Sequence, residues 1–297
     1  MKICGTDVKI RGQLIRTASP ELEKYELLHD PEAVIDGLQK SGIRVDLFTF
    51  MQLMPETSPR YGYPMEWDNL AVLSVSTFDH WWNHQIRSEA RNRARQAEKR
   101  GVTIREAAFD EALVQGIWEV YNESPVRQGK PNVHYGKDLE AVYREAATFL
   151  DRSIFIGAFL DQKLIGFVKL VTDESCTYAN MMNIVAMIKY RDKAPSNGLI
   201  MRSVRSCAER GIRYLAYQSY AYGKREDSLT NFKDINGFRR VDLPRYYVPL
   251  SPLGWAALRF GLHHRLVDRL PESVAYKLRE LRSAWHNRKL RPVTGAS

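Results

Sequence analysis

A mixed α/β fold is what this sequence predicts, on three observations. Short strand-like runs, such as 8–11 with its period-two alternation and the apolar 153–160, take turns with stretches of helical spacing that start at Asp, Ser or Thr and stop at Gly. Apolar residues make up 44% of the chain, against only 18 Gly and 13 Pro in 297 residues, enough for a substantial core and unlike collagenous, low-complexity or disordered chains. No segment approaches the roughly 18 consecutive apolar residues of a spanning helix, so that apolar content belongs to a folded interior. The opening residues contain no apolar leader core, and Cys4, Cys176 and Cys207 are odd in number with no CxxC pair. The expectation is a protein of a reducing cytoplasm, without a disulfide framework.

In chain order, 8–11 alternates as a strand. Ser19-Pro20 and Asp30-Pro31 both read as helix starts with Pro at the first helical position, the second helix ending at Ser41-Gly42. Residues 44–53 suit a strand or a short buried helix, and 55–64, with three prolines and a glycine, must be a loop. A strand at 69–76 leads into a long helix opened by Thr77 and closed by Gly101. Beyond it the order is plain: strand 102–105, helix 110–121, polar loop 122–136, helix 138–150, hairpin 153–171 turning at 161–163, and strand 177–188. Helix 196–210, strand 212–220, short helix 227–235 and strand 239–250 complete it.

The net charge of +9 is unevenly spread. Residues 87–105 hold seven Lys or Arg against Glu89 and Glu98, and 259–291 hold nine against Asp268, Glu272 and Glu280. Either stretch could meet a polyanion, though a solvated helix face explains the same composition. The stretch beyond 250 repeats apolar residues at helical spacing with Arg on the other side. Docking on the main body accounts for it, and with Trp255 and Phe260 it also suits peripheral contact with an anionic membrane surface.

The order β-α-α-β-β-β-α-β-α-β resembles the GNAT superfamily of acyltransferases. The run Arg91-Asn-Arg-Ala-Arg-Gln-Ala-Glu-Lys-Arg-Gly-Val102 and the helix Leu229-Thr-Asn-Phe-Lys-Asp-Ile-Asn-Gly-Phe238 resemble its Fem-like branch, which includes peptidoglycan-bridge aminoacyltransferases. The likeness implies a domain over 67–250, a partial α/β lobe over 1–66, and a basic helical tail over 251–297. It implies transfer of an acyl or aminoacyl group from acyl-CoA or aminoacyl-tRNA to a small-molecule or peptide amine by direct attack, with no tightly bound cofactor and no metal. No cysteine is placed for a covalent route.

The likeness also distributes roles. The loop after the fourth superfamily strand, with Arg191, Lys193, Ser196, Asn197 and Gly198, would hold the donor's phosphates at a helix start, although Ala194 and Ser196 stand where the superfamily has glycines. Small residues still allow the backbone to approach, and Ser196 and Asn197 have N-cap chemistry with free amides. A backbone amide among Val185, Ala186 and Met187 would stabilise the oxyanion, where a plain core strand explains the same residues. Tyr222, or else Tyr220, would protonate the leaving group, against the more common packing role of tyrosines on sheets.

The loop 122–135 gathers more hydrogen-bonding chemistry than a connection needs. Glu123 or His134 could deprotonate the acceptor ammonium, Arg127 could hold an acceptor carboxylate or phosphate, and Gln128 and Tyr135 would line the same place; surface turns explain them too. Lys233 could neutralise a substrate phosphate or simply face water. His80 and His84 have metal-compatible spacing without a third ligand in sequence, and read as flanks of Trp81-Trp82. The rival function is a non-catalytic RNA- or DNA-binding protein that uses the two basic stretches and needs neither the loop nor the anion site.

Overall fold

The computed structural model describes residues 1–127, 130–221 and 228–264. In chain order the elements are β1 (Lys2–Ile3), β2 (Thr6–Arg11), β3 (Thr17–Pro20), α1 (Pro31–Lys40), β4 (Leu47–Met51), β5 (Met65–Ser74), α2 (Phe78–His80) and α3 (Ser88–Lys99). Then follow β6 (Thr103–Ala107), α4 (Glu111–Asn122), β7 (Val126–Arg127), β8 (Lys130–Pro131), α5 (Leu139–Ala146), β9 (Ser153–Leu160), β10 (Lys163–Thr172) and β11 (Tyr178–Ala186). The last are α6 (Pro195–Glu209), β12 (Tyr214–Ala216), α7 (Ser228–Ile235), β13 (Arg239–Pro249) and α8 (Pro252–Arg259). From β6 to β13, with the minor β7–β8 ribbon set aside, the order is the expected β-α-α-β-β-β-α-β-α-β.

One mixed sheet of eleven strands runs β1-β2-β3-β4-β13-β5-β12-β11-β10-β9-β6. Its parallel pairs are β3 with β4 and β11 with β12. Helices cover both faces because the strands alternate: Ile156, Ala158 and Val168 pack under α3 and α6, while Phe155 and Phe167 pack under α4 and α5. The alanines Ala90, Ala94 and Ala97, four or three apart and fully buried, let α3 approach closely. A further cluster joins α1 to β2, β4 and β13.

Local capping chemistry decides several boundaries. Asp30, Asp110 and Asp138 each accept the backbone N–H three residues on, at 2.9, 2.8 and 2.7 Å, satisfying amides that the first helical turn leaves unpaired. Elsewhere longer-range contacts overrule the local signal. Ser19-Pro20 starts no helix: it ends β3, with Val8 opposite Pro20, and a turn follows in which Glu23 reaches Arg245. The helix expected from Thr77 to Arg100 is broken. Trp81–Gln85 form a π-helical turn, Ile86 is extended, and Arg87 N–H donates to the Ile235 carbonyl at 2.9 Å. The fully buried Trp81 fixes that break by donating its indole N–H to the Asn236 carbonyl. The strand expected over 212–220 shrinks to β12, which has a direct bearing on the site.

Candidate active site

β11 pairs with β12 only through Tyr178, Ala179 and Asn180. Beyond Ala216 the chain stays with β5 instead: Tyr217 N–H donates to Ala71 and Ala71 N–H to Gln218, both at 2.8 Å, with Gln218 at φ 49°. The two parallel strands therefore splay. The Gln218 side chain occupies the apex, donating to the Met182 carbonyl and the Tyr25 hydroxyl at 3.2 Å each. Among the described residues no strand pairs with the β11 edge from Met181 to Ala186. Met187 N–H donates to the Ile165 carbonyl of the β10 side at 2.8 Å. Alternation along an antiparallel ladder then turns the Val185 amide towards β10 as well, and the Ile184 and Ala186 amides towards the opening. Of the three expected oxyanion donors, Met187 is excluded because its amide is already engaged, Val185 faces the wrong way, and Ala186 faces the gap.

After β11 a 3-10 turn, Ile188–Lys193, leads to α6. The helix begins one residue before the expected start. Pro195 takes the first helical position and Ala194 the N-cap, in the left-handed conformation at φ 51° where a glycine would be unstrained. Ser196 and Asn197 are therefore not caps but members of the first turn, and the Asn197 and Gly198 amides point back to the Ala194 carbonyl at 3.1 and 3.4 Å. The Asn197 side chain is buried, and its Nδ2 has no hydrogen-bond partner. Gly198 is committed to packing: a Cβ there would lie 2.9 Å from Ile104 and 3.5 Å from Ala97. Arg191 is exposed and Lys193 half-buried beside this helix start.

The loop after α4 is clamped to the end of β11. Both Glu123 carboxylate oxygens accept backbone amides, from Ile188 at 2.7 Å and Lys189 at 2.9 Å. With both oxygens so engaged, Glu123 is a positioning residue and not the free base expected of it. Arg127 lies 3.7 Å from Glu123 and donates to the Ala186 carbonyl, which brings a half-buried guanidinium to the open edge of β11. Its Nη1 is buried with no hydrogen-bond partner. His134 stacks on Tyr121 with ring centroids 4.0 Å apart, and its Nδ1 faces the Lys137 ammonium at 3.1 Å. Burial, then the Lys137 charge, lower its pKa. A neutral ring that accepts at Nδ1 carries its proton on Nε2, so His134 offers a donor and not a base in this arrangement. Tyr135 is exposed. Gln128 lies outside the described residues.

Tyr222 also lies outside them. Tyr220 is half-buried against the core under α6, and its carbonyl accepts from Thr230 at 3.4 Å. Lys233 is not an exposed phosphate ligand. It is fully buried, donates to the Ser219 carbonyl at 2.5 Å, and sits 4.9 Å from the Tyr217 ring, holding the chain that follows β12. The basic stretch 87–105 is largely engaged within the chain: Arg87 with Asp234, Arg93 with Glu89, Arg100 with Asp192, Arg95 over Trp82 and Arg105 over Phe159. The second basic stretch lies almost wholly outside the described residues. His80 and His84 face each other on the π-helical turn with centroids 5.2 Å apart.

Sequence reasoning missed Lys24, Tyr25 and Gln218. The turn after β3 crosses to the splay, with the Lys24 carbonyl accepting from Asn180 at 3.1 Å. No local pattern signals a contact between residues some 150 positions apart.

Residues 84–223, which include the splay, the clamped loop and the start of α6, match the family model described as acetyltransferase (GNAT) domain. By that match, these residues are a GNAT acetyltransferase domain. That match carries the activity class, an enzyme of the N-acyltransferase kind. No curated protein matches it in sequence. Among solved structures, that of FemX superposes with a TM-score of 0.59 at 10% identity, over 84% of this chain and 86% of that one. The C-terminal domain of a putative lysylphosphatidylglycerol synthetase from Agrobacterium fabrum gives 0.55 at 12% identity, over 85% and 83%. L-PGS from Bacillus licheniformis gives 0.55 at 12%, over 84% and 83%. The matched domain thus sits within a chain that shares its fold with these structures over more than four fifths of its length. Among the described residues no helix is long and apolar enough to cross a membrane.

Proposed function

We propose that the GNAT domain moves an acyl or aminoacyl group from acyl-CoA or an aminoacyl-tRNA to a small-molecule or peptide amine, by direct attack in a ternary complex. The observation that carries this reading is the open β11 edge, where the Ala186 amide faces outward, the Ala186 carbonyl takes the Arg127 guanidinium, and the chain leads through a 3-10 turn to α6. The donor carbonyl oxygen would take the Ala186 N–H, which stabilises the charge that develops on it as the amine attacks. The C–N bond forms, the C–S bond of a thioester or the C–O bond of a tRNA ester breaks, and the leaving thiolate or alkoxide takes a proton. Tyr222 or Tyr220 is the proposed source of that proton, and the proton shed by the attacking nitrogen restores the tyrosine.

Phosphates of either donor would lie against Arg191, Lys193, the Ser196 amide and the unpartnered Asn197 Nδ2. That orphaned buried amide supports the fit. The left-handed Ala194, where a glycine pair would be expected, leaves less room for the backbone to wrap a pyrophosphate and keeps a tRNA donor in play. Fold likeness to FemX and to a putative lysylphosphatidylglycerol synthetase agrees with an aminoacyl donor. Arg127, whose Nη1 makes no hydrogen bond and only a long 3.7 Å ion pair with Glu123, suits an acceptor carboxylate or phosphate, and Tyr135, His134 and Gln128 would complete that side.

Calorimetry with coenzyme A and with tRNA tests the donor site. Arg191→Ala with Lys193→Ala removes two charge-assisted contacts and should weaken the true donor by roughly 10- to 100-fold with no loss of fold. Unchanged affinity for both ligands overturns the assignment.

A further inference from the structure

Away from the GNAT cleft, three side chains distant in sequence converge where the chain leaves α8. Gly261, at φ 64°, ends the helix, and Leu262 N–H donates back to the Ala257 carbonyl at 2.7 Å. The next two residues, His263 and His264, turn towards β5 with ring centroids 4.0 Å apart. Their Nε2 atoms both lie 3.0 Å from the same oxygen, Oε1 of Glu66. Tyr247 on β13 packs edge-on against His263 at 4.7 Å.

With both rings neutral, the hydrogen-bonding needs of this group do not close. Nδ1 of His263, whose side chain is only 6% exposed, lies 3.4 Å from the Ala257 carbonyl, which can only accept. A neutral imidazole has one ring proton. Placed on Nδ1 to meet that carbonyl, it leaves the Nε2 lone pair against a carboxylate lone pair. Charging His263 alone closes the bonds but holds an imidazolium on a side chain only 6% exposed, and charging both sets two imidazoliums 4.0 Å apart beside one carboxylate. A divalent cation satisfies the group with both rings neutral, because both Nε2 lone pairs and the Glu66 oxygen, grouped within 4.8 Å of one another, become ligands while the Ala257 carbonyl fixes the His263 tautomer, as outer partners of metal-bound histidines do.

We propose that Glu66, His263 and His264 bind a borderline-soft divalent cation of the zinc class, which pins the segment after α8 to β5. Two imidazoles and a carboxylate are a ligand set that zinc accepts. Donors bound tetrahedrally at about 2.0–2.1 Å stand roughly 3.3 Å apart, so the 3.0 Å separations need to widen only slightly. Glu66 and His264, each 41% exposed, give the ion a way in. His80 and His84 are the competing pair, with no third ligand grouped with them among the described residues.

The test uses the full chain, freed of metal by a chelator and titrated with Zn²⁺ by calorimetry and with Co²⁺ by visible absorption. The wild type should take up one equivalent, show the intense bands of a low-coordinate Co²⁺ site, and melt at a higher temperature with Zn²⁺. His264→Gln, at a partly exposed position, and Glu66→Gln should each weaken binding at least roughly 100-fold and abolish the zinc-dependent rise in melting temperature, with unchanged far-ultraviolet dichroism. The paired change His80→Gln and His84→Gln should leave both readouts intact. Equal uptake by the wild type and His264→Gln, or binding that disappears with His80 and His84, overturns the proposal.

Discussion

Lys169 shows how far a single residue can depart from what its type suggests. It lies on β10 and is 1% exposed, with its ammonium given to the carbonyls of Ala146 and Thr148 and to the Thr148 hydroxyl. It thus caps the C-terminal end of α5, where unpaired carbonyls favour a cation. Among the described residues no carboxylate pairs with it, and burial lowers its pKa to about 8 from an ordinary 10.5. Between those two values the unfolded chain holds a proton that the folded one has released, so stability rises with pH across the window. Below about 8 both states are charged and the term is constant. Lys169→Met should remove a positive slope of at most about 1.4 kcal/mol per pH unit between pH 8 and 10.5. Urea titrations of both proteins across that range measure it, and parallel curves would show that the ammonium is not depressed. Nothing in the sequence marks this lysine, or Lys233, as buried. Each is satisfied by carbonyls of a segment 13 to 23 residues away that only the fold brings near.

At the scale of elements, the loop from α4 to α5 is fastened to the end of β11 by one carboxylate. Glu123→Gln replaces an acceptor of two backbone amides by a group with a single accepting oxygen, leaving one N–H facing an NH₂. The expected cost is about 1–3 kcal/mol of stability. Turnover should fall with it, because Arg127 and the Ala186 edge are held by the same clamp, while donor affinity at Arg191 and Lys193 stays close to that of the wild type. Steady-state kinetics beside a donor titration separate the two, and a large loss of donor affinity would make the clamp part of the donor site. The elements themselves were largely legible, since a cap such as Asp110 and a turn such as Asp161-Gln162 are written in adjacent residues. Three features were not. The break at Ile86 depends on Ile235 and Asn236, the false helix at Ser19-Pro20 on pairing with β2, and the early end of β12 on its preference for β5. The candidate site was legible as a set of loops, because chemistry-rich loops stand out by composition. It was not legible as a geometry: Glu123 as clamp, Ala186 as the outward amide and Gln218 at the apex follow from register and splay.

For the whole molecule, the more buried of two ionic ties that, among the described residues, join the turn after the N-terminal strands to the rest of the sheet is Glu23 with Arg245, the other being Glu26 with Arg152. The turn that carries Lys24 and Tyr25 to the splay is anchored by Glu23, whose two oxygens take the Arg245 guanidinium at 2.9 and 3.1 Å, and Arg245 also reaches Asp68 at 3.1 Å. Burial opposes the charge on Arg245, but Glu23 and Asp68 outweigh it and raise its pKa. Both Glu23 and Arg245 have side chains 16% exposed, so loss of one partner leaves a charge that water reaches poorly. Glu23→Gln should therefore cost about 1–3 kcal/mol, less than the 3–5 of a fully buried pair because Asp68 remains. Asp242→Asn, which breaks the exposed pair with Arg240, should stay within roughly 0.5 kcal/mol. The distinguishing consequence is local. Release of the turn frees the Asn180 and Gln218 side chains from Lys24 and Tyr25, so hydrogen exchange in β11 should quicken near residues 178–183 in Glu23→Gln and not in Asp242→Asn. If exchange there is unchanged while stability falls, the tie holds the N-terminal strands on the sheet but does not shape the cleft. If both change together, the strands that precede the GNAT domain are part of the framework that keeps β11 and β12 apart.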